Sequence, residues 1–361
     1  MAYTTIDNPE LYFQVKAYTG NGTAIGSGGL AVTLDGDEDM QPDFVWLKNR
    51  STADRSNQVY DVLRGVTKGL KTNSSDEENT SSERLTAFGS DGFTVGDNVD
   101  VNTSGDNYVA WCWKAGTAFS NDASATSVGD IDSTGSISTA AGISIMSYTG
   151  TGTADQSVAH GLGATPQFII IKNRTTAGYW PVTNPRFVSV SDTNILYLQL
   201  TAAESDDTNI NGTTAPSSTV FGVDDYGAVN TSGDAHIAYC FAPKQGYSAM
   251  GSYTGNGSTD GPFVYTGFSP AWVLVKKSSV SGSSWTVLDN KRNTFNPMGK
   301  GLFPDSAQAE YDYTDRRDFY SNGFKIRISG SAENTSGVIY TYMAFAEAPF
   351  VNSKGVPCNA R

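Results

Sequence analysis

The side chains able to do chemistry are few, and the densest group of them is acidic. Asp35-Gly36-Asp37-Glu38-Asp39 alternates carboxylates as a calcium loop does, yet neither the sixth-position glycine nor a distal bidentate glutamate falls in place. The segment reads as a solvated acidic loop, and so does Asp76-Glu77-Glu78, which lies among Ser and Asn. Asp224 and Asp225 are adjacent, and neighbours on a strand point to opposite faces, so they are expected as turn residues rather than an acid–base pair. The only histidines are His160, in a glycine-flanked turn, and His236. With Cys112, Cys240 and Cys358 far apart, neither a zinc site nor a complete disulfide set has the spacing it needs; buried free thiols are expected. No residue is assigned as catalytic, cofactor-binding or metal-ligating, and no cofactor is expected. A pair of polysaccharide-cleaving carboxylates on separate strands would leave no trace in spacing.

The elements that would position these residues follow from composition. In 361 residues only 17% are charged, while 38 Gly accompany 18 Tyr, 17 Phe and 6 Trp. Aromatic residues favour strands and glycine supplies tight corners, so many short strands are expected and long helices are not. The net charge of −13 disfavours nucleic acid and anionic membrane, because phosphates call for clustered Lys and Arg. No apolar run of 18 residues is available for a helical membrane span. Met1 to Gln14 lacks the basic flank and apolar stretch of a secretion signal, so synthesis in a cytoplasm is expected.

Self-comparison organises the chain. Tyr18-Thr19-Gly20-Asn21-Gly22, Tyr148-Thr149-Gly150-Thr151-Gly152 and Tyr253-Thr254-Gly255-Asn256-Gly257 open three copies of one pattern. Pro42, Pro166 and Pro270 then precede strands ending in Lys48, Lys172 and Lys276. Asn-Thr-Ser-Gly follows, beginning at Asn102, Asn230 and Asn334. Each leads into an alternating strand whose core face is read as Val109, Trp111, Trp113; Ile237, Tyr239, Phe241; and Thr341, Met343, Phe345. The recurring lysines read as exposed strand ends that snorkel over apolar neighbours, with a binding rim as the alternative. Trp46, Trp111, Trp113, Trp180, Trp272 and Trp285 read as structural, with Trp180 and Trp285 in equivalent places.

The expected architecture is all-β: three tandem antiparallel β-sandwiches, preferred to barrels or a propeller. Residues 1–15 form an arm, 16–116 module 1, 117–142 a Ser/Thr/Gly-rich linker, 143–247 module 2, 248–350 module 3 and 351–361 a tail. The arm is read as a strand added to module 1, with docking as the alternative. Modules 2 and 3 are expected to pack more rigidly with each other than with module 1, and each to hold its own core.

The Tyr-Thr-Gly-Asn-Gly openings, His160-Gly161-Leu162-Gly163 through Pro166, Lys172-Asn173-Arg174, the Asn-Thr-Ser-Gly turns and the ending Ala346-Glu347-Ala348-Pro349-Phe350 together resemble a repeat domain of tail-fibre and other virion proteins of marine bacteriophages, including cyanophages. The resemblance covers nearly the whole chain. It implies jelly-roll, lectin-like sandwiches of concanavalin or SPRY type, which bind sugars or proteins through end loops, and it carries over no functional residue. It also implies a non-enzymatic virion protein, made in the host cytoplasm, whose partners are other virion proteins, further copies of itself (a trimer favoured) and host surface polysaccharide. A capsid decoration or filament subunit binding only virion proteins is the first alternative, and a depolymerase the second. Specific function is expected where the copies differ: after Leu34, from Gly116, and in 61–86, 185–218 and 290–318.

Overall fold

The computed structural model describes residues 2–183, 194–330 and 332–358; the part of the variable stretch 185–218 up to residue 193 lies outside them. The regular secondary structure is nearly all strand, arranged in antiparallel sheets. One strand order recurs three times. In module 1 the inner sheet runs Phe13–Thr19, Asn107–Trp113, Phe44–Asn49, Gln58–Asp61; in module 2 Ile143–Thr149, Ala235–Phe241, Phe168–Asn173, Pro181–Thr183; in module 3 Ser248–Thr254, Ile339–Pro349, Phe268–Lys277, Thr286–Asp289. A smaller outer sheet covers one face of each. It is built from Leu30–Val32, Leu85–Gly89 and Gly92–Val95 in module 1, from Gln156–Ala159 and Val220–Val223 in module 2, and from Phe263–Tyr265, Met298–Gly301, Tyr311–Tyr320 and Gly323–Ile326 in module 3.

Because side chains alternate along a strand, each inner sheet has two faces, and both are buried. Ala110 and Cys112, Ala238 and Cys240, and Ala344 and Ala346 face their own outer sheets. The bulkier faces, with Trp111, Trp113, Tyr239, Phe241, Met343 and Phe345, all enter one core shared by the three modules. The equivalent residues Trp113, Phe241 and Phe345 meet pairwise at 6.2, 5.5 and 5.9 Å between ring centroids, which marks the axis about which the modules are arranged. The alternation is therefore as expected, but its large-residue face serves the whole chain and not a local sandwich.

The modules contact one another head to tail. Asn57 of module 1 donates to Phe303 and Ser306 carbonyls of module 3, Trp180 of module 2 to the Ser74 carbonyl of module 1, and Trp285 of module 3 to the Tyr197 carbonyl of module 2. Arg50 pairs with Glu310 at 2.8 Å and Arg174 with Glu78 at 3.0 Å, while the Glu204 amide donates to the Ser278 carbonyl. A heterologous contact repeated through the same rotation closes a ring, and here it closes within one chain.

Two expectations change. Residues 117–142 are not a free linker: Thr117–Asn121 and Ser133–Ser138 add two strands beside Ile143–Thr149, and Ala141 reaches the shared core. Their Ser, Thr and Gly fill an edge hairpin held by backbone pairing and by Ile131, Ile137 and Phe119, which pack into the module 2 core. The arm does not lie only on module 1. Tyr3 donates to the Gly267 carbonyl and Thr4 to the Gln245 carbonyl, Ile6 enters the shared core, and Asp7 accepts from Ser353, so the arm ties module 1 to the end of module 2, to module 3 and to the tail.

Candidate functional site

The most repeated residues form a turn clamp. Asn102, Asn230 and Asn334 are fully buried, and each accepts the amide that follows Tyr-Thr-Gly, at 2.8, 2.7 and 2.8 Å. The opening tyrosines donate to the Val101, Val229 and Glu333 carbonyls and stack on Tyr108, His236 and Tyr340, each at 5.1 Å. The glycines at 20, 150 and 255 are required by closeness: a Cβ there would stand 2.2 to 2.3 Å from the carbonyl oxygen of the facing threonine. These groups are occupied in holding the turn.

The repeated lysines are a correction. Lys48, Lys172 and Lys276 are fully buried, not exposed strand ends. Lys48 donates to the Arg55 and Ala307 carbonyls, Lys172 to Ser75 and Gly178, and Lys276 to Ser283, so the first two span a module junction. Burial brings each down to about 8. A lysine following four or more apolar residues looks like a strand tip; the carbonyls that cage it come from a loop of its own module and, for Lys48 and Lys172, from a neighbouring module.

The remaining candidates scatter. His160 is buried, accepts the Leu162 amide at Nδ1 and meets the Ser217 carbonyl through Nε2. His236 occupies the position held by tyrosine in the other copies, and burial lowers it to about 4. Asp35 pairs with Lys16 and Lys291 on the surface. Glu78 is no solvated charge; it binds Arg174 and Arg64 at a junction. Asp224 accepts the Asp155 and Asp225 amides in a turn. All six tryptophans are buried. Cys112 and Cys240 are buried free thiols at equivalent positions, whereas Cys358 is exposed. Among the described residues no three His, Cys, Asp or Glu side chains gather to hold a metal ion.

What distinguishes the copies is the outward face of the outer sheet. In module 1 its cross-strand row is Ala31, Thr94 and Ala87, all small. In module 2 the equivalent row is Ser157 and Gly222, covered by the chain itself: Ser157 donates to Asp130, and a Cβ on Gly222 would meet the Asn211 and Thr214 carbonyls. In module 3 the row is Phe263, Lys325 and Asp318, and the next is Tyr265, Gly323 and Tyr320. Phe263 and Tyr265 are 46% and 57% exposed. The Phe263 ring lies across Gly323, where a Cβ would be 3.0 Å from it, and meets the Tyr320 ring edge to face at 6.0 Å.

Beside these rings runs an open groove of about 590 Å³, lined by Thr259, Asp260, Asn296, Pro297, Asp315, Asp318 and Arg327. Asn296 extends the sheet by bonding both backbone groups of Phe319, at 2.7 and 2.9 Å, and so presents Phe295, 82% exposed, at the rim. Asp318 accepts from the Tyr320 hydroxyl at 3.1 Å and pairs with Arg327 at 3.4 Å. Asp260 pairs with Lys325. A second depression of about 470 Å³ shares Thr259, Asp315 and Arg327 and continues over Tyr313 and Arg316 to Gly330. Flat rings flanking hydroxyl-accepting carboxylates suit a ligand with apolar C–H faces and hydroxyl edges.

Part of this site lies in the variable stretch 290–318, but Phe263, Tyr265 and Arg327 do not. The signal available was the contrast of Phe263 with Ala31 and Ser157, which requires the register to be known. Elsewhere the variable stretches make junctions: Ser74, Ser75 and Glu78, Tyr197 and Glu204, and Phe303 to Glu310 are gripped by the neighbouring module.

Residues 8–349 match the family model described as a domain of unknown function, DUF7483, and the chain belongs to that family. The match runs through all three modules as one span. Comparison with curated proteins found no match, and comparison with solved structures found none.

Proposed function

We propose that this member of the DUF7483 family is a non-enzymatic recognition protein that binds surface polysaccharide through the outer face of module 3. The observation that carries the reading is the exposed Phe263, Tyr265 and Phe295, with the half-buried Tyr320, on the face that holds a polar groove, where the equivalent rows of modules 1 and 2 are small or covered. The groove is open, as extended chains require, and the histidines are held in turns and stacks away from it. The sequence resemblance supports a place on a phage tail fibre or appendage, facing the host. Only module 3 carries the face, so avidity comes from several chains on one particle, and linked weak contacts gain roughly 10² to 10⁴ in strength when geometry allows. The reading that this face docks another virion protein draws on Phe295, which is more exposed than a sugar platform needs.

Incubating the full chain with host surface polysaccharide separates these readings. Retention without released oligosaccharide, lost in the Phe263→Ala/Tyr265→Ala variant, is the expected outcome. Released oligosaccharide identifies a depolymerase, and neither retention nor release leaves the structural role.

A further inference from the structure

Asp260, Asp315 and Asp318 line the module 3 groove against a single guanidinium, Arg327, and this bears on which glycans it can accept. Arg327 is committed to Asp318 and Lys325 to Asp260. Arg316, 2% exposed in the wall of the second depression, pairs through Nε with Glu333 at 2.6 Å, and its guanidinium lies 3.7 Å from the Tyr313 ring centroid. Arg317, beneath the sheet, pairs with the same Glu333 at 2.6 Å. Each of these cations thus already sits against a carboxylate, Arg316 and Arg317 sharing one. One group remains available. Asp315, exposed where the two depressions meet, has only the Thr314 hydroxyl at 3.3 Å.

An anionic sugar entering this groove meets the unpaired Asp315 carboxylate and finds no free cation to offset it. A neutral sugar meets complementary groups: Asp315 accepts from a hydroxyl, and the Phe263 and Tyr320 rings take the C–H face. Resting on the glycan-binding reading above, we propose that the groove formed by Asp260, Asp315, Asp318 and Arg327 selects neutral polysaccharide and rejects chains bearing uronate or sulfate. Discrimination then comes from the unpaired carboxylate, which acts against the wrong ligand as well as for the right one.

The test is affinity electrophoresis of the full chain in gels holding a neutral β-glucan, a neutral mannan, alginate as the uronate probe or a sulfated galactan. Retardation by a neutral glycan and by neither acidic one is expected. Phe263→Ala should weaken the neutral binding by roughly ten-fold, in keeping with the loss of one aromatic contact. Asp315→Lys should lose neutral binding and gain retardation by alginate, which a merely misfolded variant cannot do. Wild-type retardation by alginate or the sulfated galactan, abolished by Phe263→Ala, overturns the neutral selection while leaving the glycan site standing. An Asp315→Lys variant with unchanged preference also overturns it. A wild type that binds none of the four overturns both readings.

Discussion

Replacing Trp113 by alanine tests whether the three modules are one cooperative body. Its ring is fully enclosed at the pseudo-threefold axis, with Phe13, Phe44, Phe241, Trp272 and Phe345 between 4.9 and 6.2 Å away, and its indole nitrogen has no hydrogen-bond partner to lose. The cost is therefore the transfer and cavity terms of a buried tryptophan, about 4 kcal/mol. Spread over the unfolding entropy of 361 residues, about 0.75 kcal/mol per kelvin, that loss lowers one shared melting temperature by about 5 °C. Were module 1 to melt alone, its roughly 100 residues would carry about 0.2 kcal/mol per kelvin, and the same loss would shift one of three transitions by about 20 °C. Differential scanning calorimetry distinguishes the two. A single transition moved slightly is expected; one transition moved far with the others in place would refute the shared core. By the same reasoning residues 143–350 expressed alone, which local cores would keep soluble, should aggregate, because the faces of Tyr239, Phe241 and Phe345 then meet water.

Three further outcomes follow from the clamp and the cages. Gly150→Ala places a Cβ 2.2 Å from the Thr231 oxygen and should cost about 2 kcal/mol in urea unfolding, while Gly26→Ala, which faces open space, should cost nothing measurable. Lys48, Lys172 and Lys276 hold folded values near 8, below their ordinary 10.5, so the unfolded chain binds more protons between those limits. Stability should rise from pH 8 until tyrosine ionisation in the unfolded chain, which the buried Tyr60 resists, reverses the trend near pH 10; Lys172→Met should flatten part of the rise in melting temperature. His236, lowered to about 4 from 6.5, binds its proton in the unfolded chain first, so stability is lost as pH falls through that window. His236→Tyr should remove that acid limb and add about 1 kcal/mol, because Tyr108 and Tyr340 accept the Thr103 and Thr335 amides at 2.7 and 2.8 Å.

The sequence by itself determined what depends on neighbours along the chain. The Tyr-Thr-Gly and Asn-Thr-Ser-Gly turns, the all-β architecture, the period-two strands and the equivalence of Trp180 with Trp285 were all legible, because turn geometry and side-chain alternation are local. Asn57, their counterpart in module 1, was not legible, since an asparagine shares only the donor with an indole.

Tertiary structure alone decided what each face meets. Strand alternation puts Trp111 and Trp113 together on one side but cannot say whether that side covers its own module or two others. It marks Lys172 at the end of a strand but cannot supply the Ser75 carbonyl from another module. The Ser/Thr-rich stretch 117–142 is polar enough for a linker, and it is ordered by backbone pairing that composition does not reveal. The groove on module 3 joins residues from 259 to 327, and Phe263 becomes informative only when register sets it against Ala31 and Ser157. Burial and ligand access are properties of surfaces brought together across the fold, so they emerge only once the three modules close around one axis.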